Sequence, residues 1–302
     1  MKTGRTFAAY RYFLIPSEQI SLYDTVKEKR HEAVEKFFHR AIDERKVSFD
    51  IDDRKQVLAF EREITSKVLL FKFGSEKHET KYRESETGIE SVVEANLPFV
   101  YLIFDIDRQL LLLEMNTSVF KSVMQAQNKI QRWFEQAFFQ YGFEIIFEEI
   151  IDENTFWKYV EDGSPIYDVT ITLNSPNLFT GFIEIGDALR EIRAIYNNTQ
   201  TTLSVSNKNA PLTGIKKENE ELSAAVKYAS AGGGEWALTK RTRSGKRTYR
   251  SRNKIKKVNV IPVSILPDGD DLNDRNKDIL EALDSVETIM PRQTEVSDGA
   301  NS

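Results

Sequence analysis

The sequence predicts an α+β protein in which mixed or antiparallel sheets carry packed helices, and three observations point there. Apolar residues recur at helical spacing over residues 21–45 and 118–141, with charged residues on the remaining faces. Period-two alternation marks residues 166–173, where Tyr167, Val169, Ile171 and Leu173 alternate with Asp168, Thr170 and Thr172. The chain of 302 residues holds 19 Phe and 11 Tyr, so most of it has the apolar surface that folding requires.

The elements follow in chain order. Residues 7–15 form an apolar first strand closed by Pro16; Tyr10-Arg11-Tyr12 interrupts it and no small-residue cleavage site follows, unlike a signal peptide. Ser21 and Asp24 are start signals for a helix to about Arg45, with Val26, Val34, Phe37, Phe38, Ala41 and Ile42 on its apolar face. Residues 66–74 and 99–115 have strand character, the second stretch as a hairpin turning at Asp107-Arg108-Gln109. Between them the polar residues 75–94 predict a long loop.

Ser118 is the expected cap of the next helix, whose stripe is Phe120, Val123, Met124, Ile130, Phe134, Ala137, Phe138 and Tyr141, and Gly142 stops it. A strand over 143–151 completes one sheet-and-helix unit. A second unit follows the same order: strand 166–173, breaker 174–177, helix 184–196, strand 201–206, and a short helix 218–229 with a flexible exit at Gly232-Gly233-Gly234. Residues 236–243 and 246–252 form a hairpin about Ser244-Gly245, and residues 258–265 a last strand. Past Pro267 the chain turns polar and acidic and is expected to be mostly disordered. The expected division is thus an N-terminal α+β unit over 1–160, a C-terminal α+β unit with a basic ribbon over 161–266, and an acidic tail over 267–302.

Composition removes several classes of function. With no cysteine there is no disulfide framework, thiolate zinc site or cysteine nucleophile, and a reducing, cytoplasmic compartment fits. The longest apolar runs, such as 110–113, fall far short of the roughly 20 residues that span a bilayer. The net charge of −5 conceals three blocks. Residues 1–238 carry 29 Lys/Arg and 37 Asp/Glu, residues 239–257 carry ten Lys/Arg and no acid, and the tail carries three Lys/Arg and ten Asp/Glu.

The basic block holds Lys240, Arg241, Arg243, Lys246, Arg247, Arg250, Arg252, Lys254, Lys256 and Lys257, with Tyr249 among them. Period-two geometry sets Lys240 on one face and Arg241 with Arg243 on the other, so the tip is expected to be cationic on both sides and to project into solvent. Guanidinium groups match phosphate geometry, nearby hydroxyls add donors, and Tyr249 can stack on a base. If half of the ten cations each neutralised a phosphate, the salt slope of log affinity would be about −4. A solvated hairpin that balances an acidic body is the bland reading of the same residues.

In the tail, Ile279, Leu283, Val286 and Met290 are spaced four, three and four, with acids on the other faces. They make an amphipathic helix that docks on a protein partner or back on the body, and whose charge lets it compete with nucleic acid for the ribbon. Asp105, Asp107 and Glu114 are the candidate catalytic acids: converging on one sheet they would bind Mg²⁺ for phosphodiester hydrolysis. However, no Glu-x-Lys follows them and Asp107 is also a natural turn residue. His31 and His39 lie about 80° apart on their helix and His78 sits in a polar stretch, so they make no metal site. The glycine triplet follows a helix where a phosphate loop would open one, so no cofactor is expected.

Residues 99–118 ending in Asn116-Thr117-Ser118, the run Leu173-Asn174-Ser175-Pro176-Asn177, and Gly232 to Trp236 leading into 241–252 together resemble an uncharacterised bacterial domain-of-unknown-function family often found near phage-defence and restriction genes. The resemblance spans most of residues 5–265. It implies a bacterial cytosolic protein linked to antiviral defence or mobile elements, and it brings no catalytic residues. The expected function is therefore sequence-independent, non-catalytic binding of DNA or RNA. The alternatives are an adaptor subunit of a defence complex and a Mg²⁺-dependent nuclease. The aromatic content leaves room for a homo-oligomer face.

Overall fold

In the computed structural model, residues 4–16, 26–85, 88–174, 183–196, 198–242, 245–252, 254–260 and 272–287 are described. Strand β1 (Arg5–Pro16) precedes helix α1 (Val26–Asp43), and three antiparallel strands follow, β2 (Lys46–Ile51), β3 (Arg54–Thr65) and β4 (Val68–Ser75). The β2–β3 turn places Asp52 and Asp53 both at positive φ, 53° and 55°. Short Asp side chains tolerate that region, and a turn of this hand matches strand twist.

Strands β5 (Lys77–Ser85) and β6 (Gly88–Asn96) pair with each other in a two-stranded ribbon. The expected loop over 75–94 is therefore a β-ribbon: its alternation mixes charged and apolar residues on both strands, so it lacks the clean period-two contrast of a half-buried strand. Strands β7 (Phe99–Asp105) and β8 (Leu110–Glu114) form the expected hairpin, with Gln109 at φ 54° in its turn. Helix α2 (Val123–Phe139) leads to β9 (Phe143–Glu149). The helix is capped by Ser122, whose side chain accepts from the Gln125 N–H, rather than by Ser118. Ser118 instead donates its hydroxyl to Asn116, and Met124 is exposed where the stripe placed it inward.

The chain continues through α3 (Asn154–Val160), β10 (Ile166–Asn174), α4 (Ile183–Tyr196), β11 (Gln200–Ser206) and α5 (Glu220–Tyr228). A wide π turn over Ala229–Gly233 leads to β12 (Gly234–Thr242), β13 (Gly245–Arg250), β14 (Lys257–Val260) and α6 (Leu272–Glu287). The expected strand over 258–265 is seen to Val260, and its remainder lies outside the described residues, as do the caps Ser21 and Asp24.

The chain divides into two compact units. One takes residues 1–8, 12–147 and 259–279; the other takes 9–11, 148–258 and 280–302. The first holds the large sheet, ordered β14-β1-β8-β7-β4-β3-β2, with β9 also on β1. Its core is aromatic. Phe37 lies 4.8 Å from Phe138, Phe38 lies 5.2 Å from Phe104, and Trp133 lies 4.9 Å from Phe134, ring centre to ring centre. Only the Trp133–Phe134 pair of these three is edge-to-face, at 70°, and aromatic pairs in favourable geometry add about 0.5–1.5 kcal/mol each beyond area burial.

The second unit holds the four-stranded antiparallel sheet β11-β10-β12-β13. One face packs on Phe156 and Trp157 of α3, Leu189 of α4, and Leu222 and Val226 of α5. A β-bulge between Ile166 and Asp168 turns Ile166 inward, so Tyr167 leaves the inward series that alternation had assigned it.

The glycine triplet is buried, and it is no flexible lead. Gly232 has φ 87°, and a Cβ there would stand 2.7 Å from the Arg11 Cβ. A Cβ at Gly234 would stand 2.0 Å from the Thr172 carbonyl oxygen. Both positions need glycine for close approach. The acidic tail also departs from expectation over 272–287, where α6 is ordered by burying Ile279, Leu283 and Val286. Among the described residues no helix is long and apolar enough to cross a membrane.

Candidate nucleic-acid interface

The basic hairpin forms, with Thr242 facing Gly245, Arg241 facing Lys246, and Ala237 facing Arg250, so Gly245 opens β13 instead of sitting in the expected Ser244-Gly245 turn. It is not a free ribbon. Strand β12 also pairs with β10, so it is an interior strand of the sheet, and of the hairpin's two strands β13 is the one at an edge. Trp236, Leu238 and Lys240 alternate inward along β12, and all three are buried.

Lys240 is therefore a correction. Its side chain is 0% exposed, its ammonium donates to the Tyr159 carbonyl oxygen, and it pairs with Asp162. Desolvation raises the Asp162 carboxyl while the Lys240 ammonium and Ser164 lower it, and the balance lies below the ordinary carboxylate value. Of the two cations that share the inward face, Lys240 is thus consumed internally, whereas its cross-strand partner Arg247 stays exposed over the Tyr249 ring. Asp162 is 78 residues away in sequence, so no local signal announced the pairing.

Tyr249 is the second correction. Its ring packs 4.5 Å from Tyr159 at 32° and receives the Arg247 guanidinium at 5.2 Å, so the face offered to a base is occupied. Arg252 is tied to Glu235, Nε to Oε2 at 2.5 Å. The Lys256 ammonium donates to the Ser285 carbonyl oxygen of α6, and burial lowers its pKa. Arg243 lies outside the described residues. Arg241, Lys246, Arg247, Arg250, Lys254 and Lys257 remain, and all six are exposed.

The outward face of the sheet adds a feature that charge counting missed. Thr170 lies 3.3 Å from Ser204, Thr172 lies 3.5 Å from Thr202, and Thr239 lies 3.0 Å from Thr248, oxygen to oxygen. Short hydroxyl side chains thus run across the strands beside Arg241, Lys246 and Arg250, making a flat donor surface. Lys246 lies 5.3 Å over the Tyr167 ring, which holds its ammonium on this face. The alternating Asp168, Thr170 and Thr172 were the available signal for this surface.

The candidate acids do not converge. Asp105 is buried, accepts from the Arg108 N–H and pairs with that guanidinium at 3.3 Å. Glu114 is also buried, accepts from the Tyr101 N–H at 2.9 Å and pairs with Arg5 at 2.6 Å. Asp105 faces Leu110, at the far end of β8 from Glu114, about 13 Å along the strand. Asp107 is exposed in the turn. Each buried acid is neutralised by its own arginine, which leaves no shared cation site. His31, His39 and His78 are exposed, and among the described residues no group of three or more His, Asp or Glu could hold a metal ion.

Of the tail residues, Ile279, Leu283 and Val286 are buried, and Met290 lies outside the described residues. The described part of that apolar stripe is therefore docked on the chain itself. No protein-family model and no curated protein matches this chain.

Proposed function

We propose that the protein binds nucleic acid through its phosphate backbone, without reading sequence, at the outward face and β13 edge of the four-stranded sheet. One observation carries this reading: Arg241, Lys246, Arg247, Arg250, Lys254 and Lys257 are exposed on or just beyond an anchored hairpin, with no carboxylate paired to any of them among the described residues. Guanidinium and ammonium groups beside rows of hydroxyls suit phosphate oxygens. Among the described residues no unoccupied aromatic ring stands on that face, so contacts to backbone outweigh stacking on bases. In keeping with the family resemblance, the role belongs to bacterial antiviral defence or mobile-element biology. Fluorescence anisotropy on a mixed-sequence duplex tests the reading: six phosphate contacts give a slope of log affinity on log salt of about −5. A flat salt dependence would sink it.

A second reading, an adaptor that engages another protein, is favoured by the β5–β6 ribbon. Tyr82, Ile89 and Val93 lie on one of its faces and are 74%, 80% and 66% exposed. A pull-down that loses its partner when these three become Ser would support it.

A further inference from the structure

The four-stranded sheet has two edges of opposite character. Strand β13 presents Lys246, Arg247 and Arg250, charges that repel a second copy of the same edge. Strand β11, at the other end of the sheet order, reads Gln-Thr-Thr-Leu-Ser-Val-Ser, with no charge and no proline. Among the described residues no strand pairs with its far side. Natural edge strands are usually blunted by charge, proline or a bulge, and β11 has none of these over its seven residues.

Its backbone parity follows from one hydrogen bond. The Asn207 N–H donates to the Tyr167 carbonyl oxygen at 2.9 Å. Antiparallel alternation then directs the backbone groups of Thr201, Leu203 and Val205 toward β10, and those of Thr202, Ser204 and Ser206 toward the open edge. On the side chains' part, Leu203 is 47% and Val205 45% exposed, although both alternate toward the core face. Helix α4 ends at Tyr196, four residues before β11 begins, with Ile195 and Tyr196 at 73% and 74% exposure.

We infer that β11 pairs antiparallel with β11 of a second copy of this chain, about a two-fold axis at Ser204. In that register Ser204 faces Ser204 of the second copy and Thr202 faces Ser206, so all three outward residues exchange backbone hydrogen bonds. Leu203 then stands opposite Val205 of the second copy, and Val205 opposite Leu203, which covers both exposed apolar residues with each other. Covering the exposed parts of Leu203 and Val205 together with both strand edges makes a small interface, at the low end of those that hold.

The pairing makes one eight-stranded sheet whose two β13 edges stand seven strand spacings apart, about 33 Å. One turn of duplex is about 34 Å. This spacing rests on the nucleic-acid reading above; the dimer itself does not.

Sedimentation velocity of the full chain without nucleic acid tests the dimer, so its outcome is independent of binding. The wild type should sediment at twice the monomer mass at tens of micromolar. Ser204→Pro removes an N–H that points away from β10, so the fold tolerates it while the pairing does not. Its dissociation constant should rise at least about tenfold. The double variant Leu203→Lys/Val205→Lys should behave alike, and decides the matter if the proline variant fails to fold by circular dichroism. A monomeric wild type, or folded variants as dimeric as the wild type, would overturn the inference. On a duplex of about 20 base pairs the wild type should bind at least fivefold tighter than Ser204→Pro. Equal affinities would remove the spacing and leave the dimer standing.

Discussion

Two of the protein's β-hairpins live in opposite surroundings. The β5–β6 ribbon has nine register pairs, spans about 30 Å, and buries none of its described side chains. Its charges compensate across the strands, with Glu94 taking both Lys81, at 2.7 Å, and Arg83. The β12–β13 hairpin has six register pairs, but β12 is an interior strand with Trp236 and Leu238 in the core. A two-stranded hairpin alone is marginal in water, so the second hairpin is held by its sheet and the first by its own pairing. Charge on an anchored strand is displayed rigidly, which is what a polyanion site needs. Charge on a free ribbon is spent on keeping the ribbon together.

The largest expected effect follows from that anchoring. Trp236→Ala should cost about 3–5 kcal/mol in urea unfolding, because its ring fills the space beside Phe156 at 5.2 Å and Tyr159 at 6.1 Å. Tyr82→Ala in the ribbon should change stability by no more than about 0.5 kcal/mol. Equal costs would break the contrast between the two hairpins. Limited trypsin digestion should cut after Lys81 and Arg83 well before it cuts after Arg241 or Lys246, read by mass spectrometry of the fragments.

A subtler test separates the buried cation from the exposed ones. Lys240→Met keeps the buried stem, leaves Asp162 to solvent, and removes a donor from the Tyr159 carbonyl. It should cost about 1–2 kcal/mol of stability and leave nucleic-acid affinity within about twofold. A collapse of binding in a folded Lys240→Met protein would mean that the ammonium reaches the ligand after all.

The smallest effect concerns Glu148. Burial raises its pKa, a hydrogen bond with Asn174 opposes that, and the Glu235 charge adds to the rise. A carboxyl raised in the folded state is penalised once ionised. Stability is therefore withheld progressively as pH climbs from the unfolded carboxylate value through the folded one, and is fully restored below both. Glu148→Gln should flatten that slope and gain up to about 1 kcal/mol at neutral pH, measured by thermal melts across pH.

Much of this architecture was legible in the residues. The β7–β8 hairpin and the strands of the second sheet follow from alternation and turn chemistry. The α2 cap falls at Ser122 instead of Ser118, and Ser122 with Gln125 carries the Ser-x-x-Gln signature of a reciprocal cap. The β5–β6 ribbon escaped because no buried face imposes alternation on it. Lys240 escaped because alternation assigns a face but not what lies beneath it, and Asp162 arrives from a distant loop. Helix α6 is legible as an amphipathic stripe, but its acidic setting argued for disorder, and burial of Ile279 and Leu283 outweighed that. The acids at 105 and 114 show the converse: carboxylates that suggested a metal site are each taken up by an arginine.

Nucleic-acid binding by exposed cations on an anchored sheet edge is best probed by anisotropy of a labelled duplex. The wild type and Arg241→Glu/Lys246→Glu/Arg250→Glu would each be titrated at two salt concentrations. Salt-sensitive binding by the wild type is expected, with at least a hundredfold weaker binding by the variant and unchanged circular dichroism. Equal affinity of the two proteins, or no binding by the wild type at low salt to duplex, single strand or RNA, would contradict it.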